Sequence, residues 1–389
     1  MLAMQLAFRN LIGAGLRTWL NVTVLSFAFV VIVFYNGMLD GWNMQAINDT
    51  RDWEIGKGQL WHVSYDRYDP FTIQDSYGAI SGHIQNMVAA GRLTPILITQ
   101  ASAYLAGRML NIVIKGIDPD QRILKLPTQS LADTTNEIPA IIGKRMASRA
   151  HLKKGDHVLI RWRDKNGTFD AREITIVSIF DSNVPTIDNG QFWIPLAKMQ
   201  QMTGMTNEAT LLVSRDPLDN VPVEPWIYKD EKYLLKEFDG IMQQKKGSNK
   251  IMYGLLLAIA LLGIFDSQVL SIFKRQKEIG TYIALGMTRS QVLKIFTVEG
   301  SAHSILALGL GALYGIPLLA YIHQRGIPMP KSADEAGIAI SESIIPLYSF
   351  GMVLSTIFLV VISSTIVSYL PARKISRMSP TDALKGKIQ

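Results

Sequence analysis

The sequence predicts a membrane α-helical protein: four transmembrane helices with a large extracytoplasmic α/β domain inserted between the first two. Three observations predict it. The chain carries long runs almost free of charge. Only 18% of its 389 residues are charged, against 48% apolar. Its surplus of basic residues, a formal +7, is confined to a few short segments. A bilayer core of ~30 Å takes about 20 helical residues. The runs 18–39, 251–273, 300–324 and 343–372 all reach that length, with Asp266 the one charge inside them.

The elements follow in order. Residues 1–17 place Leu2, Leu6, Leu11, Ile12 and Leu16 on one side of a helix, with Gln5, Arg9, Asn10 and Arg17 elsewhere, as in a helix lying in the membrane interface. The run 18–39 has no small-x-small cleavage site behind it and reads as an uncleaved anchor. Segment 40–250 is the α/β domain. Gln59–Tyr65 alternates as a strand, 95–117 gives two short strand-like runs, and 156–163 and 172–180 flank a hairpin turn at Asp164-Lys165-Asn166-Gly167. Ile141–His151 and Ile194–Met202 read as helices and Thr210–Ser214 as a strand. From Lys229 to Lys246 apolar residues recur at helical spacing, and Gly247-Ser248-Asn249 is a possible break before the second span. The spans at 251–273, 300–324 and 343–372 are joined by a loop at 274–299 and an outer loop at 325–342, and 373–389 is the tail.

Charge sorting sets the orientation. Segments 1–17, 274–299 and 373–389 together hold twelve bases against three acids, Glu278, Glu299 and Asp382. Segment 40–250 holds 25 bases and 25 acids. The positive-inside rule puts both termini and the 274–299 loop in the cytoplasm. A nucleic-acid partner would demand a basic face on a folded domain, and the only large domain is neutral. With no cysteine there is no disulfide scaffold, thiol nucleophile or Cys-based zinc site. No phosphate-binding Gly-rich loop ending in Lys-Ser/Thr, no HExxH and no Gly-x-Ser-x-Gly is present, and the six histidines are scattered. The sequence offers no catalytic constellation and no metal site.

Two intramembrane features invite a role. Asp266 is costly in lipid and should face protein or water, or else snorkel to the interface. Ala307, Gly311 and Gly315 form a small-residue stripe for helix packing, within the chain or between two copies.

The 274–299 loop is the most informative stretch. It carries Lys277-Glu278-Ile279-Gly280, then Ala284-Leu285-Gly286, Arg289 and Glu299-Gly300. This resembles the loop of MacB/FtsX/Lol-type ABC transporter permeases. The tail, from Pro371-Ala372-Arg373 to Pro380-Thr381-Asp382-Ala383-Leu384, and the lead-in Leu6-Ala7-Phe8-Arg9-Asn10-Leu11 are similar to the same family. Gly58–Tyr68, Ile142-Gly143-Lys144-Arg145-Met146-Ala147, and Ile187-Asp188 followed by Trp193-Ile194-Pro195-Leu196 look most like its lipoprotein-releasing (Lol-type) branch, with Gln59 where His is usual and Asp266 where Asn is common.

The resemblance implies a non-catalytic permease subunit of the bacterial inner membrane. It carries no cofactor itself; ATP and Mg belong to a cytoplasmic ABC ATPase dimer. Lys277, Glu278, Ile279, Gly280, Ala284, Gly286 and Arg289 would couple to that ATPase, the alternative being a loop that only links two spans. A second permease copy or paralogue, membrane lipid, and a lipoprotein or other hydrophobic cargo with a periplasmic acceptor complete the implied partners. Val30, Phe34 and Met38 share a face at i, i+4, i+8 spacing. Opposed by Ile259, Leu262 and Asp266, they are candidates for a cargo groove; the alternative is that they face lipid or a neighbouring helix. A membrane regulator that activates an outer hydrolase, and an intramembrane enzyme using Asp266 and a histidine, are the other readings.

Overall fold

The computed structural model describes residues 16–105, 107–132, 137–218, 224–328 and 343–376. Most of the proposed lead-in 1–17, most of loop 325–342 and the tail beyond 376 lie outside these. The chain divides into two units. A helical unit comprises the described residues within Met1–Trp42, Met242–Ile327 and Ile344–Gln389, and an α/β domain those within Asn43–Ile241 and Pro328–Ser343.

In chain order the elements are α1 (Leu16–Thr50), β1 (Gly58–His62), β2 (Gly78–Ala79), α2 (Gly82–Ala89), β3 (Leu93–Leu105), β4 (Arg108–Ile117), β5 (Ile138–Gly143), α3 (Lys144–Ala150), β6 (His157–Arg163), β7 (Phe169–Phe180), α4 (Pro185–Asp188), β8 (Gln191–Pro195), α5 (Leu196–Thr203), β9 (Glu208–Ala209), β10 (Leu211–Ser214), β11 (Trp226–Asp230), α6 (Glu231–Leu234), α7 (Lys236–Lys274), α8 (Gln276–Ala284), α9 (Arg289–Arg325), β12 (Ile327–Pro328), β13 (Ser343–Ile344) and α10 (Phe350–Ser376). Within α1, α7, α9 and α10 lie four stretches long and apolar enough to cross a membrane.

The α/β domain is built on a nine-stranded sheet ordered β11-β1-β10-β3-β4-β8-β5-β7-β6. Strand β3 is 13 residues long. Its first part pairs with β10 at Leu93–Ile96, and on the same edge its later part pairs with β6 at Ala101–Tyr104. The β3–β6 pairing closes six strands into a barrel. Inside it, Ala101, Ala103 and Ala140 leave room for Trp162, Phe192, Ile114 and Ile160. Closure removes two edges that would otherwise expose unpaired backbone groups. The 157–180 hairpin forms with its turn at Asp164, whose side chain accepts the N–H groups of Asn166 and Thr168 at 2.9 and 2.7 Å.

Several elements differ from the sequence expectations. Ile141–Gly143 and Ile194–Pro195 belong to strands, with helices beginning only at Lys144 and Leu196. Both strands are buried on two faces: Ile142 and Phe192 point into the barrel, Ile141 and Trp193 into a second cluster outside it. A continuous apolar run has no period-2 signature, so it reads as part of the following helix. The helical spacing at 229–246 covers the end of β11, the short α6 and the start of α7; Asp230 caps α6 by accepting the Tyr233 N–H at 2.7 Å. Helix α7 runs unbroken through Gly247-Ser248-Asn249. One interior glycine costs only about 1 kcal/mol. Helix α1 continues past residue 39, and most of segment 274–299 is helical. Helix α10 begins only at Phe350, preceded by a non-helical stretch with Pro346, which disfavours helix before it.

The sequence motifs at 142–147 and 187–188 meet as one lock. Asp188 is fully buried, its Oδ2 accepting from Arg145 Nη1 at 2.5 Å. A Cβ on Gly143 would collide with the Asp188 backbone, 2.5 Å from its Cα. Burial raises the Asp188 pKa above its ordinary value, opposed by Arg145. At the Gly58–Tyr68 motif, Gln59 accepts from Trp61 Nε1 at 2.6 Å and donates to the Glu54 carbonyl at 3.0 Å. Beside it, burial pushes the Tyr65 hydroxyl up to about 12. Burial also pushes the Lys115 ammonium down to about 8, where it stands 5.0 Å from the Trp193 ring centroid.

Candidate functional site

The candidate coupling residues fall on α8 and the turn that follows it. The sequence Leu285-Gly286-Met287-Thr288 both ends α8 and starts α9. Gly286 has φ +97°, so it takes the left-handed conformation that ends a helix. Its N–H donates to the Ile283 carbonyl and the Met287 N–H to the Tyr282 carbonyl, each at 3.0 Å. That pair of bonds satisfies carbonyls the helix end would leave open. Thr288 then caps α9 in a reciprocal box with Gln291.

An apolar face seats this helix pair. Ile279 is buried with Ile272, Val292, Phe296 and Ala372, and Tyr282, Ile283 and Met287 pack on them. Arg275 ties the pieces together. It donates to Glu278 Oε2 and to Glu299 Oε2, each at 2.8 Å, and its guanidinium lies 5.2 Å from the Phe296 ring centroid. Burial alone would lower the Arg275 pKa, but hydrogen bonds and charge from the two glutamates outweigh it and raise the pKa. Gly280 is buried, while Lys277, Ala284, Gly286 and Arg289 are exposed. Leu285, 79% exposed, is an apolar tip at the turn that the sequence motif did not single out as a contact.

Gly286 needs its positive φ, and within this chain a Cβ there would meet nothing within 4 Å. Close approach operates instead at Gly300, where a Cβ would overlap the Ser368 side chain. Thus in Glu299-Gly300 the acid holds Arg275 and the glycine admits α10.

The candidate groove is not assembled as expected. Val30 packs on α9, its Cγ2 2.8 Å from a Cβ built on Gly315. Phe34 and Met38 are half-buried on α1, whereas Ile259 and Leu262 are 65% and 63% exposed. Asp266 is exposed as well, and the buried polar residue nearby is Gln268. Asn21, not an acid, makes the polar contact to this helix, donating to the Gly263 carbonyl at 3.1 Å. The Ala307, Gly311, Gly315 stripe is buried within the chain, with Phe29, Ser26 and Val30 of α1 closest to its glycines. Sequence reasoning named Glu299 but did not join it to a polar seam with Gln268, His303, Ser304, Ser364 and Ser368, all buried. Ser364 and Ser368 share a face at i, i+4, the one signal that pointed there. Among the described residues, no group of three His, Asp or Glu could hold a metal ion.

Residues 250–380 match the family model for the C-terminal part of FtsX-like permeases. The match covers about a third of the chain. The matched region contains α8, the capped turn, Glu299-Gly300 and the close approach of α9 and α10. Among solved structures, the periplasmic region of MacB from Actinobacillus actinomycetemcomitans is similar over 50% of this chain and 98% of its own, with 9% identity and a TM-score of 0.32. The extracellular domain of the noncanonic ABC-type transporter YknZ from Gram-positive bacteria is similar over 47% of this chain and 94% of its own, with 12% identity and a TM-score of 0.24. Neither likeness is close enough to carry an assignment. No curated protein matches the chain.

Proposed function

We propose that this chain is the membrane-spanning, non-catalytic subunit of an ABC transporter of the lipoprotein-releasing type. An ATPase dimer on separate polypeptides docks on α8 and the turn behind it. Closure of that dimer pushes α8, and Arg275 transmits the push to α9 through Glu299. The α/β domain responds on the far side of the inner membrane, and a lipoprotein or other hydrophobic cargo leaves the bilayer to an acceptor there. A second permease copy or paralogue completes the assembly, with both termini cytoplasmic.

The observation that carries this reading is the permease-domain match over residues 250–380, which contains a short helix with an exposed tip. An arginine bound to glutamates at both of its ends anchors that helix. The test has two arms. Cysteines introduced at the exposed positions Ser81 and Ser290 report topology: an impermeant thiol reagent should label the first in whole cells and spare the second. Purification of the tagged chain in mild detergent should bring an ATPase with it, and Leu285→Glu should remove that ATPase while leaving the chain inserted. Equal labelling, or an ATPase retained by Leu285→Glu, refutes the reading. An ATPase that copurifies while acylated proteins remain in the inner membrane at wild-type levels after depletion favours a regulator of an outer hydrolase.

A further inference from the structure

The helical unit holds an apolar cavity of about 500 Å³ that the coupling mechanism does not use. Its walls come from α1 at Val30 and Val33, α9 at Ala312 and Leu319, and α10 at Val353 and Ile357. Two polar side chains, His323 and Tyr348, complete the lining. His323 Nδ1 already lies 2.7 Å from the Pro346 carbonyl. The Tyr348 hydroxyl is buried and has no hydrogen-bond partner among the described residues.

Water is a poor occupant. A void of this size would take about 17 molecules at ~30 Å³ each, and each would seek two to four polar partners. Two side chains cannot supply them. The dimensions instead suit a hydrocarbon chain. From His323 to Leu308 the lining of α9 rises about 22 Å at ~1.5 Å per residue, enough to span the ~15 Å hydrocarbon depth of one leaflet. Tyr348 stands just before the start of α10 and His323 near the end of α9, so both lie at span ends, where tyrosines meet the interface. That is the depth at which the ester carbonyls of a phospholipid sit, and a buried hydroxyl without a partner costs more than a bonded one.

We propose that this cavity is a binding site for one acyl chain of a bilayer phospholipid, with the Tyr348 hydroxyl donating to the ester carbonyl at the head of that chain. The site rests on reading these helices as membrane spans and is independent of the ATPase and of the cargo.

The full chain in nanodiscs containing a phosphatidylethanolamine with a diazirine on one acyl chain tests it. After irradiation, label should concentrate on Ala312, Leu319 and Val353 over Leu313, which is 77% exposed. Ala312→Trp fills the void and should abolish labelling at Leu319 and Val353 while sparing Leu313. Tyr348→Phe keeps the volume, and half-saturation by the ester lipid should weaken about fivefold, the equivalent of one neutral hydrogen bond. An ether-linked analogue without the carbonyl should bind both forms alike. Uniform labelling of lining and outward residues, no response to either variant, or crosslinks from the lining to a second copy of the chain would each overturn the site. ATPase copurification, scored on the same preparations, bears on the permease reading alone.

Discussion

Gly286 ends α8, and its replacement discriminates between two reasons for a glycine. If the residue were needed for close approach, damage would grow with side-chain size. The structure gives the opposite expectation, because a Cβ there meets nothing within 4 Å while φ is +97°. An L-residue forced into left-handed space costs roughly 1–2 kcal/mol whatever its bulk. Relieving that strain would endanger the two 3.0 Å capping bonds, which are worth about 1 kcal/mol each. Gly286→Ala and Gly286→Trp should therefore lower the stability of the α8–α9 junction by similar amounts, about 1–2 kcal/mol. Gly286→Asn should cost less, since asparagine tolerates positive φ. Hydrogen exchange at the amides of Gln291 to Phe296 in detergent reads the junction directly, with a rise of about 5- to 30-fold expected for Ala and Trp. ATPase turnover of the assembled complex should fall in the same order. A wild-type exchange rate in Gly286→Ala beside a large loss in Gly286→Trp would refute the argument from backbone conformation and restore the one from contact.

Three further outcomes follow from buried charge. Glu299→Gln leaves Arg275 with Glu278 alone and should cost about 3 kcal/mol, seen as a lowered melting temperature in detergent; Glu278→Gln, at a side chain 55% exposed, should cost under about 1 kcal/mol, and equal losses would contradict the assigned geometry. Asp188→Ala removes the buried carboxylate that faces Arg145 and leaves its bond to the Ser182 carbonyl; it should cost about 3 kcal/mol of domain stability, checked by limited proteolysis, whereas Asp181→Ala, at an exposed ion pair, should be near neutral. Lys115, held near 8 when folded, binds fewer protons in the folded chain than in the unfolded one above that pH. Stability should therefore rise between about pH 8 and 10, before the raised Tyr65 pKa begins to oppose it, and Lys115→Met should remove the rise. A thermal-melt series across that window checks it.

Much of the architecture was legible because its signals are local. Spans are long apolar runs, and the Asp164–Gly167 hairpin is named by its turn residues. The turn at 285–288 is legible too, since a glycine for positive φ followed by a capping threonine states its own geometry. The site contacts were less legible. Asp266 drew attention as the one charge in a span, yet it is exposed, while the uncharged Gln268 two residues on is buried. Charge is visible in sequence; the face of a helix that turns inward is set by what packs on it.

The sequence by itself determined the four long apolar helices and the α/β domain between the first two, because hydropathy and strand patterning need no partner to be read. Only the tertiary structure decided three things. One is the closure of the barrel, which depends on a pairing between β3 and β6 more than fifty residues apart in the chain. Another is the union of Gly143, Arg145 and Asp188 in one lock. The third is the seating of Gly311 and Gly315 beside α1, next to an open cavity. Each is a contact between segments distant in sequence. The chain's local preferences are compatible with many such contacts, and packing selects the one that leaves fewest voids and unpaired polar groups.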